Sequence, residues 1–169
     1  MRSETDEVLR LYTEKLNAYE RFISFFRSRD AVKALLERSG LLRPKLRVLD
    51  AGAGFGTVTF ALLDALGQHN MQPESIEAFD LTPAMLARFQ AELESRGVAK
   101  VHLRQANVLE LDQQLPSSWC NYDLIISASM FEYVASEQLS QALSALGARL
   151  AQGGTLLVII TEKTGLREY

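Results

Sequence analysis

Two carboxylates and a cluster of glycines are the groups in this 169-residue chain whose types and spacing could do chemistry. Arg47-Val48-Leu49-Asp50-Ala51-Gly52-Ala53-Gly54-Phe55-Gly56-Thr57 passes from an apolar, β-rich stretch through a glycine-rich turn into a helical pattern. Glycines in such a turn permit positive φ and let a ligand reach the backbone without meeting a Cβ. The amides exposed at the following helix start suit a phosphate or a carboxylate. A dinucleotide site favours G-x-G-x-x-G, which needs glycine at position 57, where Thr57 stands; the spacing here is G-x-G-x-G, with Asp50 at the strand end. A tight strand-to-helix turn that binds nothing would have the same composition. The second carboxylate, Asp80, lies 24 residues beyond Gly56 in Glu77-Ala78-Phe79-Asp80-Leu81-Thr82-Pro83. An acid there can accept from both hydroxyls of a ribose. It can also cap the helix that Pro83 opens, and it would serve a nicotinamide cofactor equally well.

These groups need a scaffold, and the pattern around them supplies one. Short β-rich runs occur at Leu46–Asp50, Ser75–Leu81, Val101–Gln105, Tyr122–Ser127 and Thr155–Thr161. Helical patterns lie between most of them. One starts after Gly56 and runs to Gly67. Another starts at Pro83 and carries Met85, Phe89 and Leu93 before Gly97. A third carries Leu139, Ala142, Leu143, Leu146 and Leu150 and stops at Gly153-Gly154. Alternation of this kind predicts right-handed βαβ units, hence an α/β fold with a parallel sheet covered on both faces. Asn107–Asn121 has no clear helical pattern and reads as mostly loop. Ahead of the first strand, Val8, Leu11, Tyr12, Leu16, Tyr19, Phe22, Ile23 and Phe26 form one apolar stripe at helical spacing. Asp30 reads as the N-cap of a second helix carrying Val32, Leu35 and Leu36, ended by Ser39-Gly40.

Composition narrows the function. Apolar residues make up 47% and charged residues 23%, enough for a packed core. One cysteine and two histidines exclude a disulfide framework and leave little for a metal centre, so none is expected. No apolar run approaches the ~20 residues that span a bilayer, and no signal-peptide core follows Met1. A cytoplasmic protein without membrane contact is expected. Residues 1–45 hold ten Lys/Arg against seven Asp/Glu, whereas residues 46–169 hold eight against fourteen. The acidic body is a poor footprint for nucleic acid, and no such partner is expected.

Asp50-Ala-Gly-Ala-Gly-Phe-Gly resembles the first motif of class I S-adenosylmethionine-dependent methyltransferases. In that family the glycine loop passes under the methionine part of the cofactor and the acid organises its amino group, directly or through water. The resemblance assigns these roles to Gly52, Gly54, Gly56 and Asp50. It makes Asp80 the ribose ligand, with Leu81 as apolar surface under the adenine. Asn107 would hold the adenine amine and Val108 would reach a ring nitrogen through its backbone. The family more often has Asp at position 107, and a local Asx turn is the other reading of Asn107. Tyr122-Asp123-Leu124-Ile125-Ile126-Ser127-Ala128-Ser129 is similar to the fourth motif, which brings Ser127 and the turn after it against the sulfonium. The Pro-Pro signature of DNA-amino methyltransferases is absent there, which suits a small-molecule acceptor. The matches span residues 46–161. They imply a Rossmann-like doubly wound parallel sheet of about five strands, residues 44–169, beneath an N-terminal helical lid, residues 1–43.

A sulfonium is an activated methyl donor, so alignment and exclusion of water do most of the work. A base is needed only for a protonated acceptor. Glu132 and Tyr133 are the candidates beside the acceptor, although a surface acid at a helix start accounts for Glu132 as well. Tyr12 and Tyr19, seven residues apart on one face of the lid, could reach the cofactor carboxylate. The family usually adds two strands after the fifth. Ending at Tyr169, this chain is expected either to be truncated or to have its apolar fifth strand covered by another subunit, as in a homodimer. A cofactor-binding domain without turnover is one alternative function. A nicotinamide-dependent oxidoreductase is another, disfavoured by Thr57 and by the lack of a Tyr-x-x-x-Lys pair.

Overall fold

The computed structural model describes residues 28–160. Five strands, β1 (Arg47–Ala51), β2 (Ser75–Asp80), β3 (Val101–Gln105), β4 (Tyr122–Ala128) and β5 (Leu150–Ile159), form one sheet. All pair in parallel, in the order β3-β2-β1-β4-β5. Helices α1 (Ser28–Ser39), α2 (Thr57–Gln68) and α3 (Pro83–Ser95) cover one face. The short α4 (Leu111–Gln114) and α5 (Leu139–Gly147) cover the other. Strands buried on both sides are near-continuous apolar runs. Val48, Leu124 and Ile126 point into the first core with Leu36, Leu62 and Phe89. Leu49, Tyr122 and Ile125 point into the second with Leu111, Trp119 and Leu146. The order in which strands are added reverses between β1 and β4, so the loops leaving their C-terminal ends splay apart and open a crevice.

Several local details depart from the sequence reading. Helix α1 already includes Ser28, so Asp30 lies in its first turn, where a carboxylate favours the helix dipole without capping it. Val32 and Leu36 seal α1 onto α2, so this helix is a layer of the sheet domain. Helix α2 runs past Gly67 to Gln68, and the left-handed residue after it is Asn70, φ 56°. The segment read as loop holds a 3-10 turn, Val108–Glu110, and the single turn of α4.

The largest departure is at β5. Leu150, placed in the third helix from its spacing, instead starts the strand opposite Tyr122, and α5 ends at Gly147. Gly153-Gly154 is an irregularity inside the strand and not a helix stop. A Cβ on Gly154 would lie 2.6 Å from the Tyr122 carbonyl oxygen, so only glycine allows this approach to β4. Arg149 fixes the crossover. Its buried guanidinium donates to the carbonyls of Trp119 at 2.6 Å and Leu111 at 3.0 Å, and to Asp112 at 3.1 Å. The apolar stripe of residues 8–26, with Tyr12 and Tyr19, lies outside the described residues.

Candidate cofactor and acceptor site

The glycine loop is hung from the neighbouring strand. Gly52 and Ala53 both donate to the Phe79 carbonyl, at 3.0 and 2.9 Å, and Gly54 donates to Asp80 Oδ2 at 2.8 Å. Asp80 Oδ1 accepts from the Thr82 amide at 2.8 Å. One carboxylate thus ties the loop after β1 to the start of α3. The Thr82 hydroxyl and the Leu81 amide lie within reach of the same carboxylate. Burial raises the Asp80 pKa, and the Thr82 and Gly54 amides oppose that.

Asp50 works from behind the loop. It is 1% exposed, and its Oδ2 accepts from the Thr59 amide at 3.1 Å and the Thr59 hydroxyl at 2.6 Å, which holds the first turn of α2. Its Oδ1 is buried with no hydrogen-bond partner in the structure. Burial is the main cause that pushes its pKa up to about 7; the Thr59 bonds lower it and the charge of Asp80 raises it further.

The glycines divide the labour. A Cβ on Gly56 (φ 86°) would meet the Phe89 ring at 2.2 Å, so that glycine serves packing of α3. Gly54 (φ 54°) has nothing within 4 Å of its Cβ position and faces open space.

Above the strand ends lies a cleft of about 850 Å³, its open mouth included. Gly52, Gly54, Asp80, Leu81, Asn107, Val108 and Tyr133 line it together, so four loops bring their expected residues to one place. Asp50, Gly56, Ser127 and Glu132 are not among the lining residues. Ser127 is fully buried on β4 with an unpartnered hydroxyl. Asn107 makes the Asx turn: its Oδ1 accepts from the Leu109 amide at 3.0 Å, and its own amide donates to Gln114 at 2.6 Å. The side-chain NH₂ of Asn107 is not used in that turn. Met85, Met130, Val134 and Gln138 also line the cleft and were not singled out from sequence. Met85 was legible only as a core residue of α3. Gln138 ends an irregular 3-10 turn with no periodic signal. Among the described residues no group of acidic, histidine or cysteine side chains could hold a metal ion.

The chemistry of this donor set fits a nucleoside carried on a thioether. An acid stands at the β2 end, apolar walls come from Leu81 and Val108, and an open glycine backbone lies beside β1. Fold and cleft together define a doubly wound α/β domain with a ligand crevice at its switch point. The sequence profile of the methyltransferase domain family matches residues 49–156, and the chain belongs to that family.

The chain is 32% identical over 132 residues to a malonyl-[acyl-carrier protein] O-methyltransferase of Paenibacillus sp. (strain JDR-2), covering 76% of this chain and 44% of that protein. It is 27% identical over 150 residues to a highly reducing polyketide synthase of Penicillium rubens, covering 85% of this chain and 6% of the synthase. The chain thus spans less than half the length of these curated relatives. Among solved structures, DhpI in its SAH complex superposes with a TM-score of 0.71 at 18% identity, over 94% of this chain and 70% of that one. The YcgJ protein of Bacillus subtilis superposes with a TM-score of 0.62 at 21% identity, over 76% of this chain and 50% of that one. These likenesses show the fold.

Proposed function

We propose that this domain binds S-adenosylmethionine and transfers its methyl group to a small-molecule acceptor. The observation that carries the reading is Asp80, which braces Gly54 and Thr82 while lining the cleft between Asn107 and the open glycine. The ribose hydroxyls would donate to the Asp80 carboxylate. Leu81 and Val108 would sandwich the adenine. Asn107 would address its edge through the rest of its amide group. The unpartnered Oδ1 of Asp50 would take the cofactor's amino group, directly or through water, with Ser127 beside the sulfonium and Gly52 and Gly56 shaping the loop. Bound there, the cofactor supplies an electrophilic methyl carbon. The protein's part is to hold the acceptor in line with it and keep water away.

Tyr133, 40% exposed at the mouth, and Glu132 beside it are our candidates for orienting or deprotonating an acceptor that arrives protonated. Tyr12 and Tyr19 would close the cleft over the cofactor carboxylate. The relative that methylates a carrier-bound malonyl group supports an acceptor of that small size. A second reading, cofactor binding without turnover, is favoured by how little of the relatives' length the chain spans. We further propose a cytoplasmic protein, consistent with a single cysteine and with no described helix long and apolar enough to cross a membrane. A homodimer would cover β5.

Side-by-side calorimetry with S-adenosylhomocysteine and NADH tests the reading. Binding of the first and not the second is expected, and the reverse preference would overturn it.

A further inference from the structure

Part of the cleft lining answers to neither half of the proposed cofactor. Asp80, Leu81, Asn107 and Val108 are proposed for the nucleoside and the glycine loop for the tail. Tyr133, Val134 and Gln138 lie outside that set and come from the irregular segment between β4 and α5. Gln138 stands directly before α5 and is half-buried. Its backbone N–H donates to the Ala135 carbonyl at 2.9 Å. Gln141, one turn on, donates to the Leu109 carbonyl at 3.2 Å, which fixes the start of α5 against the cleft wall. The other polar side chains of the lining are engaged. Asp80 and Asn107 accept from loop amides, Thr82 reaches Asp80, and Ser129 and Tyr133 have partners of their own. The side-chain amide of Gln138 makes no hydrogen bond to a described residue.

Charge narrows what can lie beside that amide. Among the described residues Asp80 is the one charged side chain that lines the cleft. Residues 105–148, which carry Tyr133, Val134 and Gln138, hold no Lys, Arg or His and five Asp/Glu. An anion brought there would lose its water with no cation to meet it, in a field of one sign. A cation would find Asp80 alone, and the Gly54 and Thr82 amides already hold that carboxylate. An uncharged group pays neither cost, and it can satisfy an amide that is both donor and acceptor.

We infer that Gln138 sets acceptor specificity: its amide reads the carbonyl or hydroxyl of an uncharged acceptor whose apolar part packs on Tyr133 and Val134. This role rests on the proposed methyl transfer at the same cleft. A site that offers a hydrogen-bonding side chain discriminates strongly, because a ligand without the matching group leaves that side chain unpaired. Gln138 would therefore select among acceptors without touching the cofactor.

Three aromatic probes of matched size separate the cases at neutral pH: phenylacetamide, which is uncharged, phenylacetate and phenethylamine. Each is titrated by NMR into the chain loaded with S-adenosylhomocysteine, so no turnover is needed. The amide should bind about fivefold or more tighter than either ion, the margin of one ordinary hydrogen bond. Gln138→Leu should erase that margin and leave S-adenosylhomocysteine within about twofold in calorimetry. Gln138→Glu should lift phenethylamine above the amide. An ion that binds as well as the amide, an amide that does not bind, or a margin that survives Gln138→Leu would overturn the role of Gln138. A Gln138→Leu variant that loses S-adenosylhomocysteine instead would make Gln138 a cofactor contact, which also overturns it. A wild type that does not bind S-adenosylhomocysteine would overturn the cofactor assignment itself. Melting temperatures establish that the variants fold, and Gln138→Ala takes the place of the leucine variant if that one does not.

Discussion

Asp50 is a buried and Asp80 a half-buried carboxylate at a strand end, and their surroundings give them different tasks. Asp80 accepts from the Gly54 and Thr82 amides and also lines the cleft. Asp80→Ala should weaken S-adenosylhomocysteine by ~1–3 kcal/mol in calorimetry, the range for losing hydrogen bonds to a charged group. Asp80→Asn, which keeps one acceptor oxygen, should lose less. An unchanged affinity in the alanine variant would remove Asp80 from the site. Asp50 makes a prediction about pH. Its folded-state pKa of about 7 exceeds the ordinary value of 3.8. Between those values the folded protein keeps a proton that the unfolded chain has released, so this group's contribution to stability falls as pH rises from about 4 to about 7. Asp50→Asn is neutral throughout and can still accept from Thr59. Thermal melts should show the wild type declining relative to Asp50→Asn across that window and running parallel above it. Parallel curves throughout would mean that Asp50 ionises normally.

At the scale of elements, the glycine loop combines two constraints that substitution can separate. Gly56→Ala drives a carbon into the Phe89 ring and imposes a positive φ on alanine, so it should lower the melting temperature severely or prevent folding. Gly54→Ala meets no atom and carries only the φ penalty, ~1–2 kcal/mol. It should fold with a modest loss of stability and bind the cofactor poorly, because the new methyl group points into open space at the loop. Similar melting curves for the two variants would contradict this division. Arg149 plays the matching part on the other face. Arg149→Met keeps the apolar stem and strips the donors from two carbonyls, so chemical denaturation should register a loss of about 2–4 kcal/mol, with Arg149→Lys recovering little because it lacks the fork.

For the whole molecule, β5 is the strand that matters. It pairs with β4 on one side, and its apolar residues Leu156, Leu157, Val158 and Ile159 are only half-buried; Ile160, just beyond, is 67% exposed. Among the described residues nothing pairs with the other edge of β5, and open ladder groups beside such residues invite another strand. Sedimentation velocity should therefore find a dimer at micromolar concentration, with β5 amides protected from hydrogen exchange in the dimer. A monomer at all concentrations would rule out the subunit partner.

Strand number, strand order along the chain and the two acids were legible because each is a local signal: β-rich runs, helical spacing and a glycine turn between them. The cleft-lining residues at 52, 54, 80 and 107 were legible because each sits next to such a signal, at a strand end. Periodicity alone misplaced Leu150, since one apolar residue fits a helix face or a strand equally well, and the Arg149 anchor that decides between them joins residues 30 and 38 apart. The same limit hid Met130 and Gln138, which reach the cleft only through irregular turns. The chain's own order of residues thus determined an α/β domain with an acid at the end of its second strand and a glycine loop after its first. Which glycine faces a ligand and which faces Phe89 or Met130 was decided by packing, because a missing Cβ looks the same in sequence whatever occupies its space.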